Sequence, residues 1–215
     1  MIYLTRGHRI SLIGIDNGKS FRKSQEAVKS LINSFDVSQP RLRRSSVNSY
    51  LPKNANEATD AVFVPTDLMH VMSHANSTAT VESHNILRLR RYFTERIPGY
   101  IEETWEWPIV DCVLLDACNT WSPLWRSIIR DCLQPEDSVI YIGTTDKVNW
   151  QEATTFTTLF YLALLGNERS SEPEVRKAVY LQCYDEAKDL YRQLRGSVAP
   201  FRAAELTSAR AWEED

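Results

Sequence analysis

The chain has 215 residues, 43% hydrophobic and 25% charged, with a formal net charge of −3, an ordinary globular composition with enough chain for one well-buried domain. No apolar run approaches the roughly 20 residues that span a bilayer, and the N-terminus, with Arg6, His8 and Arg9 around the short run "ISLIGI", lacks a signal-peptide core. A cytoplasmic protein without membrane contact is expected, the acidic balance argues against a nucleic-acid partner, and four cysteines without a Cys-x-x-Cys pair are expected to be free thiols.

In chain order, "RISLIGI" (9–15) reads as a buried strand closed by the turn signal "DNG" (16–18). "KSQEAVKSLINSF" follows with Ala27, Val28, Leu31, Ile32 and Phe35 at helical spacing and Ser24 as a candidate cap. Residues 38–60 are polar, hold two prolines and read as a loop. "AVFVPT" and "DLMHVMSH" (61–74) look extended, and 85–107 carries a helix-like stripe of Ile86, Leu89, Tyr92, Phe93 and Ile97 that breaks at Pro98-Gly99. "DCVLLDAC" is nearly continuously apolar, as parallel strands covered on both faces are. "SPLWRSIIRDCL" is a helix with Ser122 as N-cap and Pro123 in the first turn. "SVIYIGTTD" (138–146) is a further strand and its exit. Two helices close the chain, "QEATTFTTLFYLALLG" ended by Gly166 and "EPEVRKAVYLQCYDEAKDLYRQL" started near Pro173. Strands alternating with helices predict an α/β three-layer fold with a mostly parallel sheet. One domain is expected over 1–195, with a C-terminal tail at 196–215.

The chemistry concentrates at two strand ends. Asp116 and Cys118 leave the apolar run at 110–115 two positions apart, hence on one side of an extended chain. His70, Met72 and His74 share a face of the other run. If the two strands are neighbours, their C-terminal ends bring His74 to Cys118. A thiol attacks as thiolate, and a histidine in reach supplies charge stabilisation and the later proton for the leaving group. The Cys118 backbone N–H can face a developing oxyanion, with that near Ala75 as second donor. Zinc at His70 and His74 would need a helix, whereas a four-residue offset in a strand spreads the pair by roughly 13 Å. His70 therefore reads as a buried, hydrogen-bonded histidine behind the site, and Cys112, Cys132 and Cys183 as core. "GIDNGKS" lacks the spacer of a phosphate loop, so nucleotide binding is not expected there.

"HVMSHA" followed by "VLLDACNT" resembles the two motifs of the caspase-like cysteine peptidase clan. The spacing, 44 residues from His74 to Cys118, is close to the ~50 of caspases. More narrowly it looks like the CHAT branch, in which another His commonly stands four positions before the catalytic one, as His70 does here. "VIYIGTTDKVNWQEATTFTTLFYLALL" is also similar to that branch, so the resemblance covers roughly 60–190 and more loosely 9–35. Ala75 stands where the family usually has Gly, and Asn119-Thr120 where many members have Glu-Ser or Arg-Gly; Ala keeps the backbone donor.

The resemblance implies a caspase-like α/β/α sandwich and a cysteine endopeptidase with Cys118 as nucleophile and His74 as general acid/base, needing no metal or cofactor. It implies a protein substrate, a place in bacterial defence or cell death, and an activator or sensor acting in trans. Metacaspases, which "DAC" resembles, use an Asp two before the nucleophile to prefer Arg or Lys before the scissile bond. That gives Asp116 a substrate-binding role, with Asp16 as a second carboxylate, and makes Arg44 and Arg91 of the two "RLRR" segments candidate self-cleavage sites. Asp116 shaping the local turn is the competing reading. Two other functions remain open: an inactive caspase-like interaction module, and a small α/β hydrolase or transferase using the same Cys for a non-peptide thioester.

Overall fold

A computed structural model describes residues 7–15, 20–38, 45–51, 66–75, 80–81, 84–85, 110–133 and 137–208. The elements are β1 (Arg9–Ile15), α1 (Ser20–Ser38), β2 (Ser46–Tyr50), β3 (Leu68–Ser73), β4 (Thr80–Val81), β5 (His84–Asn85), β6 (Cys112–Asp116), α2 (Pro123–Cys132), β7 (Ser138–Thr144), α3 (Trp150–Gly166), α4 (Pro173–Arg195) and β8 (Phe201–Thr207). Six strands form one sheet in the order β2-β1-β3-β6-β7-β8, and β4 and β5 pair separately. β2, β1, β3, β6 and β7 run parallel, while β8 is antiparallel to β7.

The strand period of two sorts the core into two layers. Ile10, Leu12, Leu68, Met72, Cys112, Leu114, Ile140 and Ile142 pack with Val28 and Ile32 of α1 and with the buried faces of α3 and α4. Their sequence neighbours Ile13, Met69, Val113, Leu115, Val139 and Tyr141 pack on the opposite face with Trp125 and Ile128 of α2. This is the α/β/α sandwich expected from the alternation of elements. Each fully buried large side chain contributes about 1.5–3 kcal/mol relative to its exposed state. Phe156, Phe160 and Leu164 of α3, all without exposed surface, make that helix the main cover of the first face.

The termini of the helices follow their chemistry. Ser122 accepts from the Trp125 N–H with Pro123 next to it, as expected, and Gly196 closes α4 at φ 65, a left-handed value that glycine takes without strain. Asn149 and Glu152 form a reciprocal capping box at the start of α3.

Three expectations are corrected. Ser24 is not a cap, because α1 begins at Ser20. The loop expected over 38–60 contains β2, and the tail at 196–215 contains β8, so the chain does not close on its two helices. Both are outermost strands, and their larger apolar residues are an odd number of positions apart. Val47 serves one face and Tyr50 the other, as do Phe201 and Leu206. Neither segment therefore shows a clean alternation or a continuous apolar run. The helical stripe expected over 85–107 lies, from 86 onward, outside the described residues, as do Asp16, both "RLRR" segments and the side chain of Cys132. Among the described residues no helix is long and apolar enough to cross a membrane.

Candidate active site

β3 and β6 are adjacent and parallel, with Met72 opposite Asp116. The paired register ends there, and His74 and Cys118 each follow two residues further along their chains. The apolar run of β6 ends at Asp116, and the chain turns through Asn119 at φ 57 before Ser122 starts α2. Asn is among the residues that tolerate this left-handed value. Cys118 is partly exposed and His74 exposed, both at the C-terminal edge of the sheet.

The turn is tied to the exit of β7. The Asn119 N–H donates to Asp146 O (3.1 Å) and the Trp121 N–H to Thr144 O (2.8 Å). Buried Thr120 Oγ1 reaches Leu115 O (3.2 Å) and Ala117 O (3.1 Å) and accepts from the Thr144 N–H (2.9 Å). The Tyr141 hydroxyl donates to Thr120 O, and the Thr144 hydroxyl to Ala117 O. Gly143 is needed for this approach, since a Cβ there would lie 2.9 Å from Tyr141 Oη and 3.0 Å from Thr120 Oγ1. Among the described residues the Cys118 N–H makes none of the hydrogen bonds that pin the turn.

His74, Asp116 and Cys118 line one small hollow of about 50 Å³, together with Ser24 of α1, Ser73, Ala117, Val148 and Trp150, Ala153 and Thr154 of α3. Asp116 is 7% exposed and has the parity of Cys112 and Leu114, so it faces the α1 and α3 side. The Cys118 thiol lies 3.7 Å from Val148 O, within reach of a weak S–H donation. A second, shallower depression of about 470 Å³ adjoins it, lined by Ala75, Cys118, Asn119, Lys147, Val148, Asn149 and Glu152. Cys118 lines both.

The structure thus brings together Cys118, His74 and Asp116, with Ala75 beside Cys118 on the second depression; Asp16 lies outside the described residues. Asn119 is the one non-glycine residue with positive φ among the described residues, so Ala in place of Gly at position 75 carries no backbone strain. His70 is fully buried, its Nδ1 3.1 Å from Tyr161 Oη, as a core histidine behind the site should be. Its Nε2 is 3.8 Å from Asp116 Oδ2, beyond hydrogen-bond length. Cys112 and Cys183 are buried free thiols, burial pushing the first well above its ordinary pKa and the second up to about 12. Among the described residues no three or more His, Cys, Asp or Glu cluster to hold a metal. Sequence reasoning missed the wall made by Val148, Trp150 and Thr154. The signal was available in "NWQE", whose Asn-x-x-Glu is a capping box that starts α3 at the site.

The order of strands, the layers and the paired strand ends can be set against solved structures. This chain is similar in fold to gingipain R. The match to that Arg-specific cysteine proteinase has a TM-score of 0.56 at 12% identity and covers 90% of this chain but 45% of the gingipain R chain. A complex of the Porphyromonas gingivalis RgpB pro- and mature domains also matches, with a TM-score of 0.48 at 13% identity over 91% of this chain and 46% of that one. The chain spans less than half the length of either. At this identity gingipain R informs on architecture, and the caspase-like three-layer fold expected from the motifs stands. No protein-family model matches the chain, and no curated protein matches it in sequence.

Proposed function

We propose that the chain is a cysteine endopeptidase in which Cys118 is the nucleophile and His74 the general acid/base. The observation that carries this reading is that His74 and Cys118, each two residues beyond the Met72–Asp116 pair at adjacent strand ends, line one hollow. His74 takes the thiol proton as Sγ bonds to the scissile carbonyl carbon. The oxyanion then meets the Cys118 N–H and the N–H at Ala75, in the manner that makes such donors worth about 10²–10³ in rate. Collapse breaks the C–N bond, and His74 delivers its proton to the leaving amine. Water, deprotonated by the same imidazole, cleaves the thioester and restores the thiol.

Asp116 on the wall of the hollow gives the reading its specificity. A carboxylate withdrawn from water is costly without a cation, so an Arg or Lys side chain before the scissile bond is favoured by a charge-assisted contact. The Arg specificity in the name of gingipain R is consistent with the same preference here. The substrate in this reading is a protein, cleaved in a defence or cell-death setting with an activator in trans, for which the motif resemblance is the support.

A peptide library profiled with the protein tests the assignment, alongside a peptidyl-ketone probe. Cuts after Arg or Lys are expected, with Cys118 labelled in the folded protein and not in the His74→Ala variant. A preference for Asp or small apolar residues rejects the acidic pocket and leaves the dyad. Undiminished cleavage by Cys118→Ala rejects the dyad.

A further inference from the structure

Behind Asp116 lies a group the proposed chemistry does not use. His70 has no exposed surface, and a buried imidazole needs both ring nitrogens satisfied. Nδ1 meets Tyr161 Oη at 3.1 Å, the two rings tilted with centroids 5.8 Å apart. Among the described residues Nε2 has no hydrogen-bond partner, and it lies 3.8 Å from Asp116 Oδ2.

Electrostatics selects the tautomer. Burial pushes the Tyr161 phenol well above its ordinary pKa, so it keeps its proton. Were the imidazole proton on Nδ1, Nε2 would turn a lone pair toward a carboxylate oxygen, which repels. With the Tyr161 O–H donating to Nδ1, the proton sits on Nε2 and is directed at Asp116, which attracts. A shift of under 1 Å would close the contact to the ~2.9 Å of an N–H···O bond.

The surroundings leave Asp116 as the partner that matters. The other described titratable groups in this core layer are Cys112 of β6, Tyr161 of α3 and Tyr180, Cys183, Tyr184 and Tyr191 of α4, all thiols or phenols, and burial raises the first five. Arg176 of α4 is committed to Asp111 at the other end of the sheet. Arg22, Lys23, Glu26 and Lys29 of α1 are exposed, its buried residues being Gln25, Val28 and Ile32, and His74 stands at the exposed end of the same strand.

We propose that Tyr161, His70 and Asp116 form a buried relay in which His70 is a positioning residue, holding the Asp116 carboxylate for an incoming basic side chain. The proposal rests on the reading of Asp116 as the pocket acid. It carries a consequence of its own. When His70 takes a second proton, the imidazolium becomes an internal counter-ion, and a basic side chain then competes with a charge already in place. Discrimination between an Arg peptide and its uncharged citrulline isostere is then weaker at acid than at neutral pH, in KM more than in kcat.

Imidazole NMR on the full chain carrying Cys118→Ala tests the relay without relying on turnover. The expected result is an Nε2–H tautomer for His70 at pH 8 and an Nε2 resonance that moves when Asp116→Asn is added. An Nδ1–H tautomer, or an Nε2 resonance that Asp116→Asn leaves in place, overturns it. In the active protein, Tyr161→Phe is expected to change the pH profile of the Arg-to-citrulline ratio, and His70→Gln, which donates without titrating, to flatten it while keeping the preference. If His70 responds to Asp116→Asn while the ratio does not, the pocket-acid reading fails and the relay remains.

Discussion

At the N-terminal edge of the sheet, buried Asp67 accepts from the Arg9 backbone N–H (2.8 Å) and from the guanidinium groups of Arg9 (2.7 and 2.9 Å) and Arg169 (2.6 and 2.9 Å). Beside it, Asp111 holds Arg176 at 2.6 and 3.1 Å, and Arg176 also donates to Ser170 O and Ser171 O. At the C-terminal edge, Asp116 is almost as buried, yet its one ion-pair contact among the described residues is His70 at 3.8 Å. The same residue type, at opposite ends of the same strands, is saturated at one edge and, among the described residues, is left without a guanidinium at the other. A saturated carboxylate fastens its partners to the sheet, and the proposed pocket role of Asp116 needs the opposite.

Breaking each edge in turn should separate these roles. Cys118→Ala is expected to abolish cleavage of an Arg-containing peptide while thermal or urea unfolding shows stability within about 1–2 kcal/mol of the parent, since one sulfur is lost from a partly exposed turn. Arg176→Met at the other edge should do the reverse. It strands Asp111 in the core and is expected to cost about 3–5 kcal/mol in urea unfolding. Comparable losses of stability at the two edges would erase the contrast.

His74→Ala sharpens the comparison, because His74 is exposed and outside the packed layers. Turnover should fall by about 10²-fold or more, the scale of general acid–base catalysis, with little change in unfolding. If His70→Ala instead costs more turnover in a well-folded protein, the two histidines have exchanged roles.

The smallest effect is in pH dependence. For Asp67, burial favours the neutral acid, but the hydrogen bonds from Arg169 and Arg9 overcome it and hold the carboxyl well below the usual range. Its contribution is present above the ordinary carboxylate pKa of about 4 and lost as pH falls below that. Asp111 runs the other way, burial raising it in spite of Arg176, so its ionisation costs stability as pH rises through the ordinary value. Asp67→Asn should therefore be less stable than the parent at neutral pH, with the gap narrowing toward pH 3. A gap independent of pH would mean that Asp67 acts by shape alone.

Legibility in the sequence followed how many neighbours an element has. β1, β3, β6 and β7 lie inside the sheet with both faces covered, so they read as apolar runs, and the long helices announced themselves by periodicity, Ser122, Pro173 and Gly166. β2 and β8 have a strand on one side only and serve each face with a single larger apolar residue, too few to register as a pattern. At the site, His74, Cys118 and Asp116 were legible because a polar or reactive residue at the end of an apolar strand is out of place in a core. Ser24, Val148 and Thr154 were not, because each is unremarkable in its own helix or loop and meets the others only in the hollow.

The sequence by itself determined the alternation of strands and helices, the two-sided burial of the central strands, and the chemistry available at their ends, all of which depend on residues within a few positions of one another. Only the tertiary structure decided that β3 and β6 are neighbours whose ends bring His74 and Cys118 to one hollow, and that Arg169 and Arg176 close over Asp67 and Asp111 while among the described residues no cation but His70 comes near Asp116. Those partners lie 65 to 102 residues apart in the chain. Which carboxylate finds a cation at that separation is set by how α3 and α4 dock on the sheet, a global packing solution that no local pattern encodes.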